Sequence, residues 1–383
     1  MYDCVLRFSE IDIRLTPRKD ELHRIPYRFN LVSDRGDRND EKAPTDIFAD
    51  IYHSVLRSGL RTTEDIINLQ YIPQAVFRVK AVSRCSATIP GHGEAILATQ
   101  FSPSSSARMV TGSGDCTARI WDCDTGTPVH TLKGHTGWVL AVSWSPDDKI
   151  IATGSLDSTV RLWDPSTGKQ IGSPMKGHTK WVNSLAWEPY HLQNVEAGRI
   201  ASASRDATVR IWNVVIQRIE LVLSGHASSV TCVRWGGTGN IYTASHDKTV
   251  KVWNAADGTL RHTLSAHAHW VNHLALSTDF ALRTAYHDHT GKVPDIVAAK
   301  KAKAKERYRT AATRDGKIVE RLVSASDDFT MYLWEPQKSN KPLARLLGHQ
   351  KQVNHVTFSP DGFYIASAGF DNHVKLWDAR DGK

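Results

Sequence analysis

Four residue types recur six times along this 383-residue chain at nearly fixed offsets. Each copy ends at a tryptophan, with an aspartate six residues before it and a serine or threonine ten residues before it. A histidine lies upstream of each hydroxyl and follows a glycine in five of the six copies. The positions are His92, Thr111, Asp115, Trp121; His135, Thr153, Asp157, Trp163; His178, Ser202, Asp206, Trp212; His226, Thr243, Asp247, Trp253; His267, Ser324, Asp328, Trp334; and His349, Ser367, Asp371, Trp377. A pattern kept through six copies indicates a repeat protein.

The spacing of the repeats predicts their fold. Successive tryptophans lie 42, 49, 41, 81 and 43 residues apart, and a period of about 40–45 with Gly-His and Trp-Asp signatures is typical of WD40 propeller blades. Each blade is a four-stranded antiparallel sheet. We therefore predict an all-β WD40 propeller with six recognisable repeats over residues 89–383. The repeated side chains should form one buried hydrogen-bond network per blade, because an indole donates, a hydroxyl accepts and donates, and a histidine links hydroxyl to carboxylate.

Composition excludes several classes of function. The formal net charge of +8 favours anionic partners, RNA among them. Five scattered cysteines without a Cys-x-x-Cys pattern and the lack of an 18-residue apolar run lead us to expect a soluble intracellular protein and no membrane partner. We find no nucleophile–base pair, no phosphate-binding glycine loop and no metal-ligand spacing outside the repeats. We therefore expect no enzyme activity, no cofactor and no small-molecule substrate.

Aromatic and basic residues mark a candidate partner-binding face at one end of the blades. The third residue after each repeated histidine is a tryptophan in three copies of six, which is more than the first residue of a strand requires for packing. Aromatic residues beside Arg and Lys are typical anchors for proteins or stacked bases. The predicted face comprises Trp138, Lys180, Trp181, Arg205, His246, His269, Trp270 and Lys351. The alternative is that these tryptophans only cap the blade core.

The fifth repeat is longer than the others because residues 283–321 are inserted in it. Long insertions in regular structures are often functional. The second half of this one is basic, at Lys300, Lys301, Lys303, Lys305, Arg307 and Arg309. Two interpretations remain open: a solvated, helix-prone surface loop, or an arm that docks on phosphate or serves nuclear import.

Residues 1–88 lack the repeat. Apolar segments at residues 4–8, 27–31 and 66–71, with a predicted helix around residues 50–58, indicate a small α+β domain over residues 1–74. Residues 75–88 should then form a linker and a strand that closes the last blade.

Several segments are more specific than a generic repeat. Residues 71–85 read Tyr-Ile-Pro-Gln-Ala-Val-Phe-Arg-Val-Lys-Ala-Val-Ser-Arg-Cys, residues 231–237 read Thr-Cys-Val-Arg-Trp-Gly-Gly, and residues 275–284 read Ala-Leu-Ser-Thr-Asp-Phe-Ala-Leu-Arg-Thr. With the long fifth-repeat insertion, these segments closely resemble the Notchless family over residues 71–383. The resemblance implies an assembly factor of the large ribosomal subunit, in the nucleolus and nucleus, with a ubiquitin-like N-terminal domain and an eight-bladed propeller.

The same resemblance implies partners. The propeller would bind pre-60S ribosomal proteins and rRNA, and the N-terminal domain would bind the AAA ATPase midasin by completing a metal site in trans. Asp46, before Ile47 and Phe48, fits that acidic ligand best, although residues 1–45 match the family's domain poorly. With six repeats rather than eight, the chain is either part of an eight-bladed ring or a closed six-bladed one. A different function, substrate receptor of a cullin ubiquitin ligase, is raised by Trp377-Asp378-Ala379-Arg380.

Overall fold

The computed structural model describes residues 89–380 except 195–197, 289–290 and 315, together with the backbone of three N-terminal strands. The chain divides into two compact units, Met1–Thr88 and Ile89–Lys383. In the first unit, β1 (Val5–Arg7), β2 (Ile11–Pro17) and β3 (Tyr27–Ser33) form an antiparallel sheet in the order β1-β2-β3. The sequence analysis missed β2, although Ile11, Ile13 and Leu15 alternate with polar residues as a half-buried strand does. The predicted helix near residue 50, Asp46 and the linker 75–88 lie outside the described residues.

The second unit contains six antiparallel sheets, one for each repeat. Blades 1 to 4 each use four consecutive strands and blade 5 uses four strands with the insertion after its first, while three described strands make up blade 6. The strands of blades 1 to 3 are β4 (Ile96–Phe101), β5 (Arg108–Ser113), β6 (Thr117–Asp122), β7 (Thr127–Lys133); β8 (Val139–Trp144), β9 (Ile151–Ser155), β10 (Thr159–Trp163), β11 (Gln170–Lys176); and β12 (Val182–Trp187), β13 (Arg199–Ser204), β14 (Thr208–Asn213), β15 (Arg218–Ser224). The strands of blades 4 to 6 are β16 (Val230–Trp235), β17 (Asn240–Ser245), β18 (Val250–Asn254), β19 (Leu260–Leu264); β20 (Val271–Leu276), β23 (Leu322–Ser326), β24 (Thr330–Trp334), β25 (Ala344–Leu347); and β26 (Val353–Phe358), β27 (Tyr364–Gly369), β28 (Val374–Asp378). This architecture is the predicted WD40 propeller.

The insertion in blade 5 is structured. It contains α1 (Asp279–Thr284), α2 (Val297–Ala312) and a hairpin of β21 (Thr313–Arg314) with β22 (Lys317–Ile318). A 3-10 helix, Tyr190–Leu192, lies in blade 3 and contacts α2. No helix among the described residues is long and apolar enough to cross a membrane.

A one-residue bulge near the start of each innermost strand links neighbouring blades. The bulged Asn183 of blade 3 donates its amide to the carbonyl oxygen of Val230 in blade 4, at 2.8 Å. The next two blades repeat this contact: Thr231 donates to Val271 (2.7 Å) and Asn272 donates to Val353 (3.0 Å). Because bulges re-aim side chains at the rim of a sheet, these residues bond blades 3, 4 and 5 each to the blade that follows.

The two end blades differ from the interior ones in burial. The large apolar position near the end of the innermost strand is 1 % exposed at Trp144 in blade 2 but 48 % exposed at Phe101 in blade 1. On the third strand, Val160 of blade 2 is fully buried, whereas the equivalent Val374 of blade 6 is 76 % exposed. Blades 1 and 6 therefore each present an apolar face that no described residue covers.

Candidate functional site

The four repeated residues come together in every blade. In blade 3, the indole of Trp212 donates to Ser202 Oγ at 2.7 Å, His178 Nε2 lies 2.8 Å from that hydroxyl, and His178 Nδ1 lies 2.8 Å from Asp206 Oδ2. Across the six blades the three distances span 2.7–2.9, 2.7–2.8 and 2.6–3.0 Å. In each blade, this chain of hydrogen bonds connects the tryptophan of the sheet to the histidine and the aspartate of the loops.

The aspartate of each network also holds the tight turn after the second strand. Asp206 Oδ1 accepts hydrogen bonds from the backbone N–H and the hydroxyl of Thr208, and its Oδ2 accepts from the backbone N–H of Thr179. The residue after each aspartate has a left-handed φ of 62–71°, although none of the six is glycine. This conformation is unfavourable for L-residues. The aspartate therefore has two roles: it is hydrogen-bonded to the histidine, and it stabilises a strained turn.

Serine, histidine and aspartate in this order resemble the chain of hydrogen bonds in a serine hydrolase. Here the hydroxyl already accepts the indole N–H, and Ser202 has no exposed surface. A substrate carbonyl cannot reach it. The geometry gives these side chains a structural role.

A cleft at the narrow end of blades 3, 4 and 5 contains most of the predicted partner-binding face. It has a volume of about 710 Å³ and is lined by Lys180, Trp181, Arg205, Ser229, His246 and Trp270, among others. We call it the aromatic cleft. Trp181 and Trp270 are 40 % and 45 % exposed, so a large part of each indole is accessible to a partner. His269 lies beside the cleft, with its ring centroid 5.2 Å from that of Trp270.

Each tryptophan of the aromatic cleft contacts a side chain of its own blade or of the preceding blade. The guanidinium carbon of Arg205 lies 4.1 Å from the ring centroid of Trp181, a cation–π contact. The imidazole of His246 stacks on Trp270 with centroids 4.3 Å apart and planes at 17°. Burial lowers the pKa of His246; Asp327 opposes this and Arg205 adds to it. The ring is therefore neutral near pH 7 and stacks as an aromatic.

Two predicted members of the face lie elsewhere. Trp138 belongs to blade 2 and is 52 % exposed, and Lys351 is an exposed residue of blade 6. Neither lines the aromatic cleft. The offsets within a repeat are the same in blades 2, 3 and 5, whereas the cleft lies between blades 3, 4 and 5.

The basic segment is a helix, and one of its lysines bonds to blade 3. Its predicted docking on phosphate or role in nuclear import stays a prediction. On α2, Lys303 pairs with Asp288 at 2.8 Å, and Lys301 donates to the carbonyl oxygen of Gln193. Lys300 lies 5.4 Å from the ring centroid of Tyr286, and Arg307 donates to the backbone oxygen of Ala285 at 2.7 Å. Lys305 and Arg309 are exposed. Lys301 therefore bonds the insertion to blade 3, whereas Lys300, Lys303 and Arg307 contact other residues of the insertion.

The docking of α2 depends on residues that the sequence analysis did not single out as a site. Tyr308 is buried and stacks on His191, with ring centroids 5.1 Å apart. A Cβ added at Gly237 would overlap the ring of Tyr308. The Gly-Gly pair at 236–237, part of the segment that resembles Notchless proteins, thus has a physical reason: it makes room for the helix.

A buried carboxylate completes this attachment. Glu320, at the end of the insertion, accepts from the backbone N–H of Gly237 (3.0 Å), the hydroxyl of Thr278 (2.7 Å) and the hydroxyl of Tyr242 (3.2 Å). Burial raises the pKa of Glu320 despite these bonds. The residue joins the insertion to blade 4, and its position between Val319 and Arg321 in the sequence carries no signal that would have revealed this role.

Arg380 of the Trp-Asp-x-Arg sequence pairs with its near neighbour Asp378, at 2.5 Å. The guanidinium also lies 6.0 Å from the ring centroid of Phe363. Asp378 and Phe363 both belong to blade 6.

Comparison with known proteins agrees with this architecture. The family model "WD domain, G-beta repeat" matches residues 83–122, 126–164, 168–213, 217–254 and 340–378. The matched segments leave out residues 255–339, which contain the first three strands of blade 5 and the insertion between the first two of them.

Similar proteins extend over nearly the whole chain. Ribosome assembly protein 4 of Chaetomium thermophilum is 65 % identical over 359 residues, covering 94 % of this chain and 69 % of the relative. Ribosome assembly protein 4 of Saccharomyces cerevisiae is 53 % identical over 363 residues, covering 94 % and 70 %. The Notchless protein homolog of Arabidopsis thaliana is 51 % identical over 324 residues, covering 84 % and 67 %. The chain has six WD40 blades and the structured insertion. Because it also shares these identities with Notchless proteins and their relatives, it belongs to the Notchless family of WD40-repeat proteins.

Proposed function

We propose that this protein is a non-catalytic assembly factor of the large ribosomal subunit, which binds the pre-60S particle through its propeller in the nucleolus and nucleus. The observation that carries the proposal is 65 % identity, over 94 % of this chain, to a relative named Ribosome assembly protein 4. The repeated Ser or Thr is buried in every blade, which supports a scaffold rather than a hydrolase.

The exposed side of α2 is one contact surface for the particle. Lys305 and Arg309 point away from the fold and offer charge to rRNA phosphates. We expect the tagged chain to co-sediment with pre-60S particles and the double variant Lys305→Glu with Arg309→Glu to dissociate at a lower salt concentration. Lys169→Glu with Lys338→Glu makes the same charge change on other exposed residues and serves as the control.

The sedimentation result also distinguishes the alternative. Co-purification of pre-60S proteins supports assembly. Recovery of cullin adaptor proteins without ribosomal proteins would contradict it and would turn attention to Arg380.

The N-terminal unit is proposed to bind a midasin-type AAA ATPase, with Asp46 supplying a carboxylate to a divalent ion held by that partner. Hard divalent cations such as Mg²⁺ prefer oxygen ligands, so Asp46→Ala should abolish binding to the isolated midasin domain and EDTA should abolish it for the unaltered chain. Asp46→Asn retains one oxygen without the charge and should also bind far more weakly. Normal binding by Asp46→Ala would transfer the role to Asp37, Asp40 or Glu41.

The uncovered end faces support the proposal of an eight-bladed ring. Asn354 occupies in blade 6 the bulge position from which Asn183 and Asn272 donate to the next blade, and it is exposed. Val374 and Leu376 are exposed in the same blade. We propose that two further blades cover these residues and the exposed face of blade 1. Adding the corresponding segment of a relative to this chain should raise its unfolding temperature; an unchanged temperature would contradict the proposal.

A further inference from the structure

We propose that the aromatic cleft binds single-stranded RNA, with an unpaired base stacked on Trp181 or Trp270 and a phosphate held by Lys180 and Arg205. The inference rests on the proposed function in that an assembling ribosomal particle supplies such RNA. The family resemblance does not identify a ligand for this cleft, and the proposal supplies one.

The first support is the pair of aromatic walls. Trp181 and Trp270 hold equivalent positions in blades 3 and 5, and both line the cleft while 40 % and 45 % of their surface stays exposed. Arg205 and His246 already stack against these rings, at 4.1 and 4.3 Å. The contacts fix the planes of the indoles, and a fixed aromatic plane is the platform on which single-stranded nucleic acids stack a base.

The second support is the chemistry of the remaining wall. Between the tryptophans lie Ser228, Ser229 and Thr231, and the cleft has no Leu, Ile, Val, Met or Phe side chain in its lining. A peptide usually anchors through an aliphatic or aromatic side chain in an apolar pocket. Flat walls with hydroxyls between them suit a planar, polar ring better. The volume of about 710 Å³ lies within the usual range for ligand pockets.

The third support is the charge of the cleft. Lys180 and Arg205 are exposed cations of its lining. Its single lining carboxylate, Asp206, already accepts from His178, Thr179 and Thr208. A phosphate at the cleft would therefore meet two cations and no uncommitted acid. This balance favours a polyanion that also carries aromatic rings, which is the composition of single-stranded RNA.

Fluorescence anisotropy of a labelled 12-nucleotide oligo-A RNA tests the proposal with the full chain. We expect saturable binding and a loss of about tenfold or more in affinity for Trp181→Ala and for Trp270→Ala, which corresponds to removal of one stacked base. Trp181→Phe keeps a ring and should retain most of the affinity. Lys180→Gln with Arg205→Gln should weaken binding and reduce its salt dependence.

Trp138→Ala is the matched control, because Trp138 holds the equivalent position of blade 2, is 52 % exposed and lies outside the cleft. Circular dichroism and thermal unfolding confirm that each variant is folded. Equal RNA affinity for Trp181→Ala, Trp270→Ala and wild type would overturn the proposal. So would equal affinity for a 12-base-pair duplex, or binding of a poly-glutamate peptide that depends on Trp181 while oligo-A binding does not.

The proposed function is tested separately by sedimentation. A wild-type chain that binds oligo-A through the cleft but never co-sediments with pre-60S particles refutes the assembly role and leaves the RNA site standing. A chain that co-sediments normally while oligo-A binding ignores Trp181 and Trp270 refutes the RNA site alone.

Discussion

The blade interiors and the aromatic cleft use the same residue types for opposite purposes. In blade 3, Trp212 is buried and donates to Ser202, whereas Trp181 is 40 % exposed and stacks only with Arg205. The first arrangement occurs in all six blades with nearly constant distances; the second has no copy in blades 1, 2 or 6 among the described residues. A repeated polar network indicates a role in folding, and a departure from the repeat within one part of the ring indicates a role in binding.

Low pH should destabilise the blade networks far more than the aromatic cleft, and this is the largest effect that we expect. Burial raises the pKa of each of the six network aspartates, but hydrogen bonds from histidine, threonine and backbone groups outweigh it and leave the pKa below its ordinary value. The stability contributed by a carboxylate of lowered pKa is fully present above the unfolded pKa of about 4 and is lost as the pH falls below it. Urea midpoints measured from pH 6 to pH 3 should therefore fall steeply below about pH 4.

Asp206→Asn provides the control for that experiment. The difference in urea midpoint between wild type and Asp206→Asn should shrink as the pH falls, because a protonated aspartate resembles asparagine. A difference that stays constant down to pH 3 would show that the charge of Asp206 does not stabilise blade 3.

Removing one side chain of a network should lower the free energy of unfolding less than acid does, but more than any substitution in the aromatic cleft. Asp206→Ala leaves His178 and the turn residue Thr208 without their partner, and we expect the free energy of unfolding to fall by about 2–4 kcal/mol. Asp257→Ala is a suitable control, since Asp257 caps the N–H and hydroxyl of Thr259 in the same way but has no histidine. Equal effects of the two substitutions would reject the network in blade 3.

The helix α2 is an exception to the contrast between repeated structural networks and a single binding cleft. It belongs to one blade only, and yet its role is structural. Gly237→Ala places a methyl group against the ring of Tyr308, so we expect a loss of about 1–3 kcal/mol in the free energy of unfolding. Gly93→Ala meets no neighbouring atom within 4 Å and is the control. Increased proteolysis of α2 in Gly237→Ala would show that the helix has detached, whereas unchanged stability and proteolysis would mean that Tyr308 does not fix it.

Sequence periodicity predicted the propeller and which residues of each blade should meet, because the partners in a network are set by offsets within one repeat. It also marked Trp181, Arg205, His246 and Trp270. It did not separate Trp138 and Lys351 from them, since the position of a cleft depends on which blades share it.

The roles of Lys303 and Arg307 were beyond sequence reasoning for a similar reason. Their partners, Asp288 and the carbonyl oxygen of Ala285, are fixed by the way α2 folds back on the preceding residues of the insertion. A run of Lys and Arg has the same appearance whether its charges face solvent or neighbouring carbonyl groups. The alternation of Ile11, Ile13 and Leu15 in β2, in contrast, was a signal present in the sequence.

The most direct test of the central claim compares two tryptophans of one blade, Trp212 and Trp181. Thermal or urea unfolding of Trp212→Ala should show a loss of about 3–5 kcal/mol, because the change removes a buried aromatic side chain and leaves Ser202 Oγ without its donor. Trp181→Ala should stay within about 0.5 kcal/mol of wild type and yet lose association with the particle. A Trp181→Ala protein that is destabilised as much as Trp212→Ala, or one that is stable and still binds, would contradict the account.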